Sequence, residues 1–321
     1  MTREYFVGVD MGGTNLRCGA VSRSGAIILL RRAPANAMAS ADAVVANIAA
    51  NVEAVAQQAR GRGLGAPRGI GVAVPGPLDL VNGTVTTTPH VSAWRSFPLR
   101  ARLERQLGGP VTVENDANAW ALGEFWCGAA RGRSEVVLLT LGTGVGGGLI
   151  VGGRIVHGIA GMAGELGHVT VEPEGVRCDC GARGCLEAYA SASGIQRLVE
   201  QRLRRRARMP ALFTDTQGEF AVRRLAQAAR RRNPLARAVL GVAGKYLGIA
   251  VASFVNIFNP ELVVIGGGVS RALPLMREPM MREIKARAFA AALRRVRIVR
   301  AGLGEHAGVV GAAYAAMSAR H

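Results

Sequence analysis

Short apolar runs broken by glycine recur along the chain. Residues 5–9 form one such run and 16–21 the next, with Asp10-Met11-Gly12-Gly13-Thr14-Asn15 between them. Two apolar runs around a glycine turn predict a strand, a tight turn and a returning strand. Residues 34–59 are alanine-rich, with apolar positions at helical spacing, and predict a helix. Ile70–Val74 reads as a buried strand ended by Pro75-Gly76-Pro77. Residues 111–113 read as a strand that runs into Glu114-Asn115-Asp116, and 117–126 as a helix. Val136–Leu141, a second glycine turn and a return strand at 149–151 repeat the opening unit, which points to an internal duplication. From about Ser191 to Phe258 the pattern is helical, apart from a loop at 209–216. A strand at 262–265 then leads into Gly266-Gly267-Gly268 and another helix, and 306–319 closes the chain as an alanine-rich helix. Strands mixed with helices throughout define an α/β class.

Composition narrows the picture. With 321 residues and 49% hydrophobic content the chain can bury a large core, most economically as two domains, and global disorder is excluded. The net charge of +18 is carried almost wholly by arginine, since lysine occurs only at Lys245 and Lys285. That skew reads as the codon bias of a GC-rich genome. Arg202, Arg204, Arg205, Arg206 and Arg208 crowd one helix end and Arg230, Arg231 and Arg232 another; few aromatics lie among them, so solvated helix faces are expected and no specific nucleic-acid partner. Five cysteines exclude a disulfide scaffold. The start of the chain shows no targeting segment, and the uncharged stretch 136–153 is too glycine-rich for a membrane span. A cytoplasmic protein without a membrane partner is the expectation.

Three glycine turns at strand ends suggest a phosphate cradle. Without Cβ atoms, successive backbone N–H groups can close on an anion. The candidate residues are Gly12, Gly13, Thr14 and Asn15; Gly142, Thr143, Gly144, Val145, Gly146, Gly147 and Gly148; and Gly266, Gly267 and Gly268. Neither of the two hairpin turns fits a P-loop or a dinucleotide fingerprint. A single turn reads more readily as a plain hairpin, whereas three together argue for a nucleotide held between two lobes. Asp10 beside the first turn would repel phosphates unless Mg²⁺ stood between them.

His168, Cys178, Cys180 and Cys185 fall within 18 residues, and three thiolates with one imidazole form a closed tetrahedral set for structural Zn²⁺. Free thiols, or a redox pair with one spare, is the other reading. Cys18 and Cys127 lie in apolar contexts and read as inert core residues. Asp116 follows a strand and opens a helix, so it can cap that helix, act as a general base, or both. Glu165 and Glu187 flank the cysteine segment, which raises them above ordinary surface carboxylates.

These motifs together resemble the bacterial ROK family of repressors, open reading frames and sugar kinases. The resemblance runs nearly end to end. It rests on residues 10–15, Glu114-Asn115-Asp116-Ala117-Asn118-Ala119, the 141–148 turn, Gly164-Glu165-Leu166-Gly167-His168 and the 178–187 segment. It implies an actin-like (ribonuclease H-like) two-lobed ATPase fold with a structural zinc site. The small lobe would cover 1–114, with a final helix at about 305–321 returning to it, and the large lobe 115–304, carrying the zinc segment. It further implies ATP on the glycine turns, and Asp116 as catalytic base on a sugar 6-hydroxyl. Asn115, Glu165, His168 and Glu187 would hold the other hydroxyls, with His168 giving one nitrogen to zinc and one to sugar. D-glucose is the expected substrate, on the intact Gly-Glu-Leu-Gly-His segment and on the 89–98 stretch with Trp94-Arg95. N-acetylmannosamine and N-acetylglucosamine are the alternatives, and a non-catalytic sugar-responsive regulator is the rival of a different class. Repressor members carry a helix-turn-helix before the first glycine turn, and with Asp10 so early in the sequence none is expected here. A homo-oligomer of two or four chains is expected.

Overall fold

The computed structural model describes residues 4–36, 39–87, 94–159, 161–203 and 219–319. Residues 89–93 of the 89–98 stretch, the loop at 209–216, and Arg204, Arg205, Arg206 and Arg208 lie outside the described residues. The chain forms two compact units. One comprises Met1–Gly132, Arg154–Gly164 and Gly302–His321; the other comprises Arg133–Gly153 and Glu165–Ala301.

The first unit is built on strands β1 (Tyr5–Met11), β2 (Asn15–Ser22), β3 (Ile27–Pro34), β4 (Ile70–Val74) and β8 (Val111–Asn115), in the order β3-β2-β1-β4-β8. β1 runs antiparallel to β2 and parallel to β4, which in turn runs parallel to β8. Helices α1 (Ala41–Gly61), α2 (Leu99–Leu107), α3 (Asp116–Cys127) and α10 (Ala307–Ser318) pack around it. Every residue of β1 is buried, as a strand covered on both faces requires. Its period-two alternation divides the two coverings. Tyr5, Val7, Val9 and Met11 join the core with Val44, Val45, Ile48, Val52 and Val55 of α1. Phe6 packs with Val309 and Ala313 of α10, and Asp10 lies beside Gly308. Between them, a Cβ on Gly8 would come 2.0 Å from the Val309 carbonyl oxygen, so only glycine lets α10 lie this close to the sheet. A short sheet of β5 (Leu78–Asp79), β6 (Thr84–Thr87) and β7 (Arg95–Phe97) adjoins, with the buried Trp94 stacked on Phe97 at 5.5 Å. Strand β11 (Arg154–Ile155) packs near α3.

The second unit repeats the plan. β9 (Val136–Leu141) runs antiparallel to β10 (Val145–Val151) and parallel to β12 (Leu262–Gly266), which runs parallel to β13 (Arg297–Arg300). The order β10-β9-β12-β13 matches β2-β1-β4-β8, so the duplication suggested by the two glycine turns extends to strand order and direction. The remaining helices are α4 (Glu187–Ala190), α5 (Ala192–Leu203), α6 (Glu219–Arg230), α7 (Pro234–Phe258), α8 (Leu273–Arg287) and α9 (Ala290–Leu293). Among the described residues α7 is the one helix long and apolar enough to cross a bilayer. Its side chains Val239, Leu240, Leu247 and Val251 are instead buried, and it packs along α8. The uncharged stretch 136–153 is the β9–β10 hairpin.

Three sequence expectations need correction. The helix read at 34–59 begins later: β3 ends at Pro34, Ala35 and Asn36 are not helical, and α1 starts after Ser40, whose Oγ accepts the Ala43 N–H. The polar Arg31 and Arg32 belong to an edge strand and are both exposed, and this masked the apolar pattern. The compact units divide at Gly132 rather than at 114/115, because α3 packs against α10. Cys127 is only partly buried, unlike Cys18. The α3 end is stapled to the final segment by Glu124, a fully buried carboxylate that accepts N–H groups from Ala129, Gly302 and Leu303 at 2.7–2.9 Å.

Candidate functional site

In the first unit the ends of β1 and β8 bring Asp10 and Asp116 within electrostatic reach of each other. Asp10 is buried, and its carboxylate is 3.6 Å from Arg17 Nη1. Burial pushes Asp10 up to about 7; Arg17 opposes that, and the Asp116 charge reinforces it. Gly12 N–H donates to the Asn15 carbonyl at 2.9 Å and closes the first glycine turn beside Asp10. Thr14 lies in the same turn, and its carbonyl accepts from Ala35 N–H.

The β8–α3 junction separates two roles that sequence left together. Asn115, not Asp116, is the N-cap: its Oδ1 accepts from Ala117 N at 2.9 Å and Asn118 N at 3.2 Å. Asn115 Nδ2 donates to the Gly76 carbonyl, so both ends of its amide are engaged within the protein. Asp116 is the first helical residue and is half-buried.

In the second unit Gly142 N–H donates to the Gly144 carbonyl at 2.9 Å and closes the second turn. The turn is anchored from behind: the Gly142 carbonyl accepts Ala192 N–H, and the Thr143 carbonyl accepts Ser193 Oγ–H. Val145 N–H donates to Glu187 Oε2 at 2.9 Å. Gly146, Gly147 and Gly148 continue into β10. Gly266, Gly267 and Gly268 end β12 next to β9, where Gly267 (φ +79) lies against the Leu141 backbone. Two of the three glycine turns are thus neighbours in this unit.

His168, Cys178, Cys180 and Cys185 gather so that one donor atom from each lies within 4.8 Å of the others. Cys180 and Cys185 Sγ are 3.7 Å apart, and Cys178 Sγ is 3.8 Å from His168 Nδ1. A zinc tetrahedron with metal–sulfur bonds of about 2.3 Å has edges of about 3.8 Å, so these residues fit that ion. Burial, followed by the neighbouring thiols, raises Cys185 above the ordinary thiol range. A divalent cation would reverse that tendency. His168 turns Nδ1 to the thiols and Nε2 towards Glu165, 3.8 Å from its Oε2. Glu187 Oε1 is 3.7 Å from Cys178 Sγ, so one carboxylate touches both the cysteine cluster and the second glycine turn.

Sequence reasoning missed four residues here. Arg17 shares Asp10 with no motif to mark it, and Glu305 then links Arg17 and Arg32 at 3.5 and 2.6 Å. Glu114 is buried and pairs with His157 at 2.9 Å, 43 residues away in the chain. No local spacing could have announced that pair.

The model of the ROK family matches residues 6–319. A glucokinase of Halalkalibacterium halodurans is 38% identical over 97% of this chain and 94% of its own. A xylose repressor of Caldicellulosiruptor bescii is 36% identical over 76% of this chain and 61% of its own. The solved structure of a ROK family glucokinase from Streptomyces griseus, in complex with glucose and AMPPNP, is 32% identical, covers 98% of this chain and 99% of its own, and superposes with a TM-score of 0.80. The chain therefore belongs to the ROK family and has that family's actin-like α/β ATPase fold.

Proposed function

We propose that the protein is a sugar kinase that transfers the γ-phosphoryl group of ATP to the 6-hydroxyl of a hexose, D-glucose first. The observation that carries this reading is that Asp10 and Asp116 lie within electrostatic reach of each other at the carboxyl ends of β1 and β8, two strands of one sheet with β4 between them. Two carboxylates at strand carboxyl ends suit two tasks in phosphoryl transfer, proton acceptance and cation binding. Asp116 takes the hydroxyl proton on its carboxylate as the oxygen attacks in line. Asp10, buried beside a second carboxylate, fits Mg²⁺ held through water, and that ion would offset phosphate charge. The glycine turns offer backbone N–H groups to the phosphates. Glu165, His168 through Nε2, and Asn115 are read as sugar-hydroxyl partners, with Glu187 shared between sugar and the second turn. The Cys178–Cys180–Cys185–His168 set would hold Zn²⁺ in a purely structural role, fixing the segment that carries Glu187.

The similarity to glucokinases, one of them solved with glucose and AMPPNP, supports this substrate and donor. The similarity to a xylose repressor supports the regulator reading, which ATP turnover separates at once. The deciding experiment is ADP release over a panel of hexoses and N-acetylhexosamines. Glucose should give the highest kcat/KM. A panel led tenfold by an N-acetylhexosamine, about 1.4 kcal/mol in transition-state stabilisation, removes glucose but keeps the kinase. No turnover of any sugar favours the regulator.

A further inference from the structure

The loop between β11 and Glu165 carries a histidine outside every motif. His157 Nε2 lies 2.9 Å from Glu114 Oε2. The other oxygen of Glu114 accepts the Asn115 backbone N–H at 2.9 Å and Asn118 Nδ2 at 3.2 Å. One buried carboxylate thus joins the residue before Asp116, a side chain of α3 and an imidazole from a distant loop. The same loop is seated at a second point. Gly161 (φ +72) lies so close to Leu78 that a Cβ would come 2.2 Å from its carbonyl oxygen. The His157 carbonyl accepts Ala163 N–H at 3.0 Å and closes the loop on itself. All of these residues belong to the first compact unit, and Glu165 and His168 follow directly in sequence.

We infer that His157 is a positioning residue for phosphoryl transfer: through Glu114 it fixes the Asn115–Asp116 junction and so aims the Asp116 carboxylate. The inference rests on Asp116 being the base of a sugar kinase, as proposed above. A buried carboxylate left half-paired relaxes towards water or a new partner. Glu114 is bonded directly to the Asn115 N–H, so such relaxation moves the base. A displacement of about 1 Å can cost about 10²-fold in rate. The hydrogen bond to Glu114, aided by its charge and opposed by partial burial, raises His157 above its ordinary value. The other charged groups on the elements packed there are Asp116 and Glu124 of α3 and Arg154 of β11. Because the shift is upward, the charged pair is complete at low pH and is lost as pH rises through the folded-state pKa of His157. Neutral His157 can still donate through Nε2, so the loss is partial.

The test is steady-state ADP release at saturating ATP and hexose across the neutral range, for wild type, His157→Leu, His157→Gln and Glu114→Gln. His157→Leu should lower kcat about tenfold to a hundredfold with KM for ATP unchanged. His157→Gln, whose amide still donates to Glu114, should restore most of kcat. The ratio of wild-type to His157→Gln kcat should fall as pH rises through the His157 transition. Glu114→Gln combined with His157→Gln should cost less than the sum of the two, and this second route holds if His157→Leu folds poorly. A flat pH ratio, strictly additive variants, or a His157→Leu protein of normal kcat but lowered Tm would overturn the role. Wild type that turns over no sugar overturns the kinase reading and this role together, a result distinct from active wild type with a silent His157→Leu.

Discussion

In the β1–β2 hairpin the carboxylate at the turn belongs to the strand itself, while in the β9–β10 hairpin it is brought in from elsewhere. Asp10 stands in β1, buried under α10, and Arg17 across the hairpin is its charged partner. At the second turn Glu187 reaches in from the start of α4, accepts Val145 N–H and touches the cysteine cluster through its other oxygen. The strand order is the same, yet the first turn is set by local packing and the second by a side chain from the cysteine-bearing segment. Duplicated scaffolds can therefore diverge in what finishes each turn, and the two turns should fail in different ways.

The largest expected effect lies at Asp116, the partner of Asp10 on the first side. Asp116→Asn should fold normally and still bind ATP and sugar, with kcat lower by about 10²–10⁴. Asn115 holds the helix cap, so loss of capping cannot account for that fall. Measuring kcat and Tm for the Asn and Ala variants decides it. Near-wild-type kcat in Asp116→Asn removes it as base.

Next come the glycines that each hairpin needs. At Gly8 an added Cβ meets backbone, the Val309 carbonyl at 2.0 Å, which cannot step aside. Gly8→Ala should therefore destabilise the fold by about 1–3 kcal/mol or more through overpacking. At Gly144 the added Cβ meets Glu187 Oε2 at 2.4 Å, the tip of a side chain that can move. Gly144→Ala should leave Tm nearly unchanged and weaken ATP binding. Thermal melts and KM values for both variants test the contrast, and equal losses of Tm would erase it.

Much of this was legible in the chain. Paired apolar runs around glycine are a local signal, and so is the spacing of Cys178, Cys180 and Cys185, which is why both hairpins and the cysteine cluster could be read in advance. Strand β3 was hidden because an edge strand carrying Arg31 and Arg32 lacks the run expected of a buried one. The division at Gly132 was hidden because it depends on α10 packing on α3 from the far end of the chain. Asn115 as cap and Asp116 as first helical residue differ by one position, finer than periodicity can place. Glu114 with His157, and Glu124 with Gly302 and Leu303, are contacts between residues far apart in sequence.

A smaller effect should follow from breaking the cysteine cluster proposed to hold zinc. Cys185→Ser should lower zinc from one per chain and loosen Glu187. Its consequence should appear at the second turn, as a rise in KM for ATP of about tenfold, or about 1.4 kcal/mol. Metal analysis with ATP titration checks both. Zinc well below one per chain in wild type would count against the site, and unchanged ATP binding after metal loss would show that the second turn stands alone.

The last effect concerns Asp10 and is read in stability against pH rather than in activity. Its folded-state value is raised from 3.8 to about 7, so the folded protein holds a proton there that the unfolded chain releases. Stability from this group is complete below about pH 4 and is lost as pH rises from about 4 to about 7. Asp10→Asn has no proton to lose. Without added metal, wild type should therefore lose Tm over that window relative to Asp10→Asn, by about 2–4 °C for each kcal/mol involved. Added Mg²⁺ reverses the sign if Asp10 is its site, because the cation favours the ionised carboxylate. Above pH 7, Mg²⁺ should raise the Tm of wild type and leave Asp10→Asn unmoved. Parallel curves for the two proteins without metal would mean that Arg17 already neutralises Asp10. The first turn would then be balanced by a partner, as the second is by Val145 N–H, and the contrast between the hairpins would rest on packing alone.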